Sequence, residues 1–514
     1  MLQRLTSIYL ALLLTVFLLA FPPGGYVTIP EFKYSLFLLI CGGYVATIAI
    51  LRMIYMLTGT QPLGKIREKQ KSIPIATKFL LGFLLVTIIS SLFSVYPGTF
   101  RGTFRQEGVL TIGIYVLSCV FVSIYFRPKK WMLFLFGTVV GLVSTLALIQ
   151  LTGANPFMLY PAGHNYYGAN IYYSGAFLST IGNAGLLGGF VSLAAGVLAM
   201  ALIKFDFRER WCLALPFFLT VLLICSMDID AAFLALAAGL ILMLPIAVTG
   251  RKTLVNTLLV LAIVIAAFAL SQILVFQDGP IQFAPLRVLP VIALGFVFLL
   301  AAFVMKIDMF ARISTKQYRI SATVAILGLF SAALTVLWRY SGESGMLYEA
   351  AEIMRGNWDP TFGTGRIYIW RSVLEHIRWE TLLLGTGPDT LGFWDIPPFT
   401  RFDERLGVTI VTSIEAAHNE YLQILATGGL LSLLAYLGAL FFAAVRWIRH
   451  PENALSAMAG AGILFYGIQA FFGISQFITA PFFWACFGIL LYAQSGGEEA
   501  GASVSPGVSR RASK

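Results

Sequence analysis

Runs of apolar residues, each close to the length that crosses a bilayer, recur along almost the whole chain and leave few folds open to it. Hydrocarbon is crossed by about 20 apolar residues of helix, and about fourteen such runs follow one another, from 6–22 to 478–494. Backbone N–H and C=O groups find no water there, so only helices or closed barrels can span. Lipid-facing barrel strands alternate in polarity, whereas these runs are continuously apolar. The expected fold class is therefore all-α, a polytopic transmembrane helix bundle. A composition of 58% hydrophobic and 11% charged residues agrees with it.

Lysine and arginine near span ends tend to stay cytoplasmic. Lys65 to Lys71, Arg127 to Lys130, Lys204 to Arg210, Arg251 with Lys252, Lys306 to Arg319, and Arg446 with Arg449 fall in alternate breaks, which are assigned to the cytoplasm together with both termini. The net charge of +11 follows from this bias and implies no nucleic-acid partner. Among cations assigned outside, Lys33 is the only lysine. The rest are arginines, whose planar guanidinium grips phosphate or carboxylate with paired hydrogen bonds.

One polar stretch interrupts the pattern. Residues 339–420 carry seven arginines, two of the four histidines and no lysine, and this much polar chain requires water or an enclosed cavity. It divides the sequence into an N-terminal transmembrane bundle (1–338), a large extracytoplasmic loop with short helices (339–420), C-terminal transmembrane helices (421–495) and a Gly/Ser/Ala-rich tail (496–514) expected to be disordered. Within the loop, Gly363-Thr-Gly365 precedes Arg366 to Arg378, where Ile367, Trp370, Leu374 and Ile377 have helical spacing. An amphipathic helix starting at Thr364 or Gly365 would offer free N–H groups to an anion beside Arg366. Arg371 and Glu375 fall on another face, where a solvated ion pair is an equally good reading.

The second element is Glu415-Ala-Ala-His-Asn-Glu-Tyr-Leu, which runs into a span. His418 there could take a proton from an acceptor hydroxyl, with Glu415 orienting the ring and Tyr421 on the same helical face. A histidine bonded to its own helix is the plainer alternative. Upstream, Arg105 and Glu107 stand at the mouth of the fourth run, and Tyr172 to Asn183 at that of the sixth. Asp228 and Asp230 read as a turn, since no third ligand accompanies them. Five cysteines lack metal-ligand spacing, and Gly385-Thr-Gly387 lacks the Lys-Ser/Thr ending of a P-loop; neither a metal nor a cofactor is expected.

Taken in order, Ser90-Ser-x-x-Ser-Val-x-Pro97, Arg105-Gln-Glu-Gly108, Ser179-Thr-Ile-Gly-Asn183, Thr364-Gly-Arg-Ile-Tyr-Ile-Trp370, Leu384-Gly-Thr-Gly-Pro388 and Ala417-His-Asn-Glu-Tyr-Leu-Gln423 resemble the O-antigen ligase and O-antigen polymerase superfamily of bacterial membrane glycosyltransferases. The resemblance implies a GT-C-like helical fold and transfer of a glycan from a polyprenyl diphosphate carrier, without a nucleotide-sugar donor, to a lipid or glycan acceptor; metal is not expected, since arginines can do the phosphate work. It implies His418 and Arg366 as catalytic residues; beside them Arg105, Arg371, Glu107, Asn419 and Tyr421 are expected to bind substrate. Where the family often has Ser-Arg-Gly, this chain has Ser226-Met-Asp-Ile-Asp230. A polymerase of lipid-linked repeats is the nearest alternative. A transporter or flippase is the more distant one, because polar groups gather at one face rather than at the bilayer midplane.

Overall fold

The computed structural model describes residues 1–59, 73–168, 176–277, 281–285, 287–403 and 407–495. The basic break containing Lys65 to Lys71, residues Tyr172 to Gly175 and the tail from Gly496 lie outside them. The described chain is mostly helical, with nine helices long and apolar enough to cross a membrane and five shorter apolar ones: Leu2–Phe17, Val109–Tyr125, Asp230–Leu242, Ala454–Ala470 and Ala480–Gln494. It is a membrane protein by this measure. Strands also occur: the hairpin Phe399–Asp403 with Val408–Thr412 is antiparallel, with Phe399 opposite Thr412, so the polar stretch carries a β-ribbon besides its short helices.

At the centre stands Ala184–Lys204, whose apolar window is buried all round. Small residues let neighbours approach it closely. A methyl group at Gly196 would lie 2.6 Å from the Ala461 carbonyl oxygen, and one at Gly462 would meet Val197, so the helix Ala454–Ala470 packs against the central one almost backbone to backbone.

The basic breaks among the described residues gather at one end of this bundle. Lys252 pairs with Asp206, Lys204 donates to Thr249 (2.9 Å), Arg251 to the Val304 carbonyl (3.0 Å) and Arg319 to the Ile448 carbonyl (2.6 Å). Lys33 lies elsewhere and is buried. Its ammonium donates to the carbonyls of Phe17 (2.5 Å) and Leu18 (3.1 Å), the helix-end acceptors that a cation satisfies best.

The helix Glu420–Arg449 is broken at Gly429, which is left-handed (φ +78°). A break in hydrocarbon strands backbone groups unless something else bonds them, and the segment Leu382 to Gly387 does so. Leu430 N–H donates to the Leu382 carbonyl (2.8 Å), Leu431 to Leu383 (3.2 Å), and Gly387 N–H donates back to Thr427 (2.9 Å). Ser90 adds a bond to the same Thr427 oxygen (3.2 Å). Gly385 (φ +71°) has no room for a side chain, because a Cβ would press into the Thr427 carbonyl and Gly429 N. Gly385→Ala is expected to destabilise the protein by about 1–3 kcal/mol, read as a lowered thermal midpoint of the detergent-purified protein. An unchanged midpoint would mean that the insertion does not hold the helix.

Candidate functional site

The inserted segment continues into Asp389, a left-handed residue (φ +60°) whose carboxylate accepts the backbone N–H groups of Phe104 (3.0 Å) and Arg105 (2.8 Å). Ser94 donates to the Thr386 carbonyl (2.6 Å), and Phe393 stacks on Tyr96 at 5.3 Å. Residues 94–107 and 384–394, remote in sequence, thus form one unit. Burial raises the Asp389 carboxyl, while the N–H groups it accepts pull it back.

That unit fixes Arg105, whose Nε is buried without a hydrogen-bond partner among the described residues. Burial lowers its pKa, against the opposing pull of Glu415, Asp389 and Glu107. Glu107 accepts from the Tyr115 hydroxyl (2.7 Å), and burial drives its carboxyl well above the ordinary range, which favours the neutral acid. Beneath them lies a cavity of about 90 Å³ lined by Arg105, Glu107, Asp389, Glu420 and Thr427.

Arg366 comes from a different direction. Gly363, Thr364 and Gly365 are all left-handed (φ +63°, +59°, +89°), so the regular helix begins at Arg366 and not at Thr364 or Gly365. Glu349 holds this turn by accepting the Gly363 N–H (2.8 Å). The guanidinium is oriented by Nε to the Phe472 carbonyl (3.0 Å) and Nη1 to the Gly363 carbonyl (2.8 Å), and among the described residues Nη2 carries no bond. Burial lowers the pKa of Arg366, and Asp230 and Glu349 act against that. The aspartate pair therefore bears on this arginine: Asp228 makes the left-handed turn (φ +52°) that brings Asp230 toward it. Ile369 and Val373 supply the buried face of the helix, packing with Leu391, Ile414 and Ala417. Leu374, expected on that face, is exposed, because the covering segment packs along the Ile369–Val373 edge.

His418 precedes the helix and does not ride on its face. Asn419 is the N-cap, its side chain accepting Leu422 N–H (3.1 Å), and His418 is left-handed (φ +48°). No hydrogen bond joins it to Glu415 among the described residues, and the field of Glu415 acts on Arg105 instead. Burial first, then the charges of Arg105 and Arg366, bring the His418 pKa down to about 4. Glu420 and Tyr421, two and three residues further on, are engaged elsewhere. Glu420 accepts from Tyr436 (2.7 Å) and Tyr466 (3.0 Å), and Tyr421 donates to the Gly467 carbonyl (2.7 Å).

The structure therefore brings Arg105, Glu107, Arg366 and His418 to one end of the bundle, with Asn419 and Tyr421 as their framework. Arg371 is not among them: it is exposed and pairs with Glu375 (2.8 Å). Asp389, Glu420 and Glu349 are the residues that sequence reasoning missed. Of the three only Asp389 is itself strained, but strain marks the surroundings: Gln106, Asp228, Thr364, Asp389 and His418 make up most of the non-glycine left-handed residues described, and such residues persist where surrounding structure enforces them. No family model matches the chain, and no characterised protein emerges as a relative.

A histidine whose pKa falls on folding stays neutral while the unfolded chain begins to bind protons. Its contribution to stability is complete above pH 6.5 and is lost as pH falls toward about 4. In an NMR titration of histidine-labelled protein, the resonance absent from His418→Ala should stay neutral down to about pH 5. Titration near 6.5 would show that neither burial nor the two arginines act on it as described.

Proposed function

We propose that this chain is a polytopic GT-C-like enzyme of about fourteen spans in the bacterial plasma membrane, both termini cytoplasmic, that transfers an oligo- or polysaccharide from a polyprenyl diphosphate carrier to an acceptor hydroxyl on the outer face. The observation that carries this reading is the placing of two half-buried guanidinium groups, from different segments, so that both act on one histidine. Among the described residues, no carboxylate lies within ion-pair distance of Arg105 or Arg366. Both keep charge to offer an anion.

Arg366, through Nη2, and Arg105, through Nε, would bind the diphosphate and stabilise the charge it gains as the bond between the anomeric carbon and the phosphate oxygen breaks. The acceptor oxygen attacks the opposite face, inverting that carbon, and its proton passes to His418. The field that depresses His418 in the free protein is partly cancelled by a bound diphosphate, so donor binding would raise its basicity when a base is needed.

Arg366→Ala and His418→Ala are expected to insert normally and to lose about 10²–10³-fold in transfer, whereas Arg371→Ala, which breaks only an exposed pair, should stay within about twofold. The assay combines purified protein, a polyprenyl-diphosphate-linked oligosaccharide and candidate acceptors without nucleotide, followed by mass spectrometry. One-step transfer identifies a ligase and ladders of repeats a polymerase. An intact donor across a broad acceptor panel, or normal transfer by both alanine variants, would sink the proposal.

A further inference from the structure

A second cavity lies at the opposite, basic end. It has a volume of about 480 Å³ and runs between Leu2–Phe17, Lys130–Gln150, Ala184–Lys204, Ala454–Ala470 and Ala480–Gln494. Apart from the Cys486 thiol, every polar lining residue stands at one place: Lys129, Lys130, Glu452 and Asn453. Lys129 and Glu452 are exposed there, while Leu13, Leu193 and Phe482 are deeply buried. The lining reaches from Phe205 to Leu193 and from Ala493 to Phe482, about 16–18 Å at the helical rise. One bilayer leaflet has nearly that depth, half of about 30 Å.

The charges at the mouth are unequal. Asn453 is committed, accepting from Ser456 N–H (2.9 Å) and donating to the Ala493 carbonyl (3.2 Å), and Glu452 pairs with His450 (3.3 Å). Lys130 lies over the Phe207 ring at 4.7 Å, and among the described residues neither Lys129 nor Lys130 has an anionic partner. The helix Lys130–Gln150 starts at this point with no acidic residue in its first turn, so its dipole adds to the positive field.

We infer that this cavity is a binding site for an anionic phospholipid of the surrounding bilayer, one acyl chain filling the cleft and the phosphate held by Lys129 and Lys130. An apolar slot of leaflet depth selects a chain, and two unpaired ammonium groups at its rim select a negative head. The site is separate from the Arg105, Arg366 and His418 cluster and does not depend on what that cluster does.

The test uses the full chain, incubated in detergent with vesicles of equal phosphatidylglycerol and phosphatidylethanolamine, re-isolated and examined by native mass spectrometry. One phosphatidylglycerol should be retained per chain, about tenfold over phosphatidylethanolamine. The double variant Lys129→Glu/Lys130→Glu should abolish that preference, and Ala485→Phe, which fills the slot, should remove retention of either lipid. Should Ala485→Phe fail to fold, Leu14→Trp at a half-buried part of the lining serves the same purpose. Retention of no phospholipid, equal retention of both, retention of a polyprenyl lipid only, or retention unaffected by the lysine and filling variants would each overturn the assignment.

Discussion

The hydrogen bonds that close the break at Gly429 hold the polar region to the bundle. A helix interrupted within hydrocarbon exposes donors and acceptors that each cost several kcal/mol if left alone. Here the chain supplies partners from Leu382, Leu383 and Gly387, more than forty residues away from the break. That need fixes the path of residues 382–387, and everything that follows depends on it: Asp389 is delivered to the N–H groups of Phe104 and Arg105, and the chain returns through Ala417 and His418 to the start of the same broken helix.

Electrostatics at this end show a consistent division of labour. Carboxylates outnumber arginines, yet most are engaged: Asp389 with backbone amides, Glu107 with Tyr115, Glu420 with Tyr436 and Tyr466. Burial favours their neutral forms or demands such partners. The arginines are bonded to carbonyls or left with a free N–H, so their charge is oriented without being cancelled. An anion entering here would meet fixed donors in a region of low dielectric, where they count for more than in water.

Much was legible in the residues. Apolar run length located the helices, lysine and arginine bias separated the two ends, and the seven arginines of 339–420 marked the polar stretch. The start of the helix at Arg366 was legible only approximately, because three successive left-handed residues with a threonine among them contradict local preference. The position of His418 ahead of its helix was missed for the same reason: helical periodicity says nothing about a residue that the tertiary structure holds outside the helix.

The sequence by itself determined the membrane-spanning character, the helical class and the segregation of charge, since each follows from transfer energies summed over neighbouring residues. Only the tertiary structure decided that Arg105, Arg366 and His418 meet, that Asp389 joins them, and that Arg371 faces away. Those outcomes rest on hydrogen bonds between segments as far apart as Arg105 and Asp389, and on close backbone approach at Gly385 and Gly429. Such contacts leave no periodic trace along the chain.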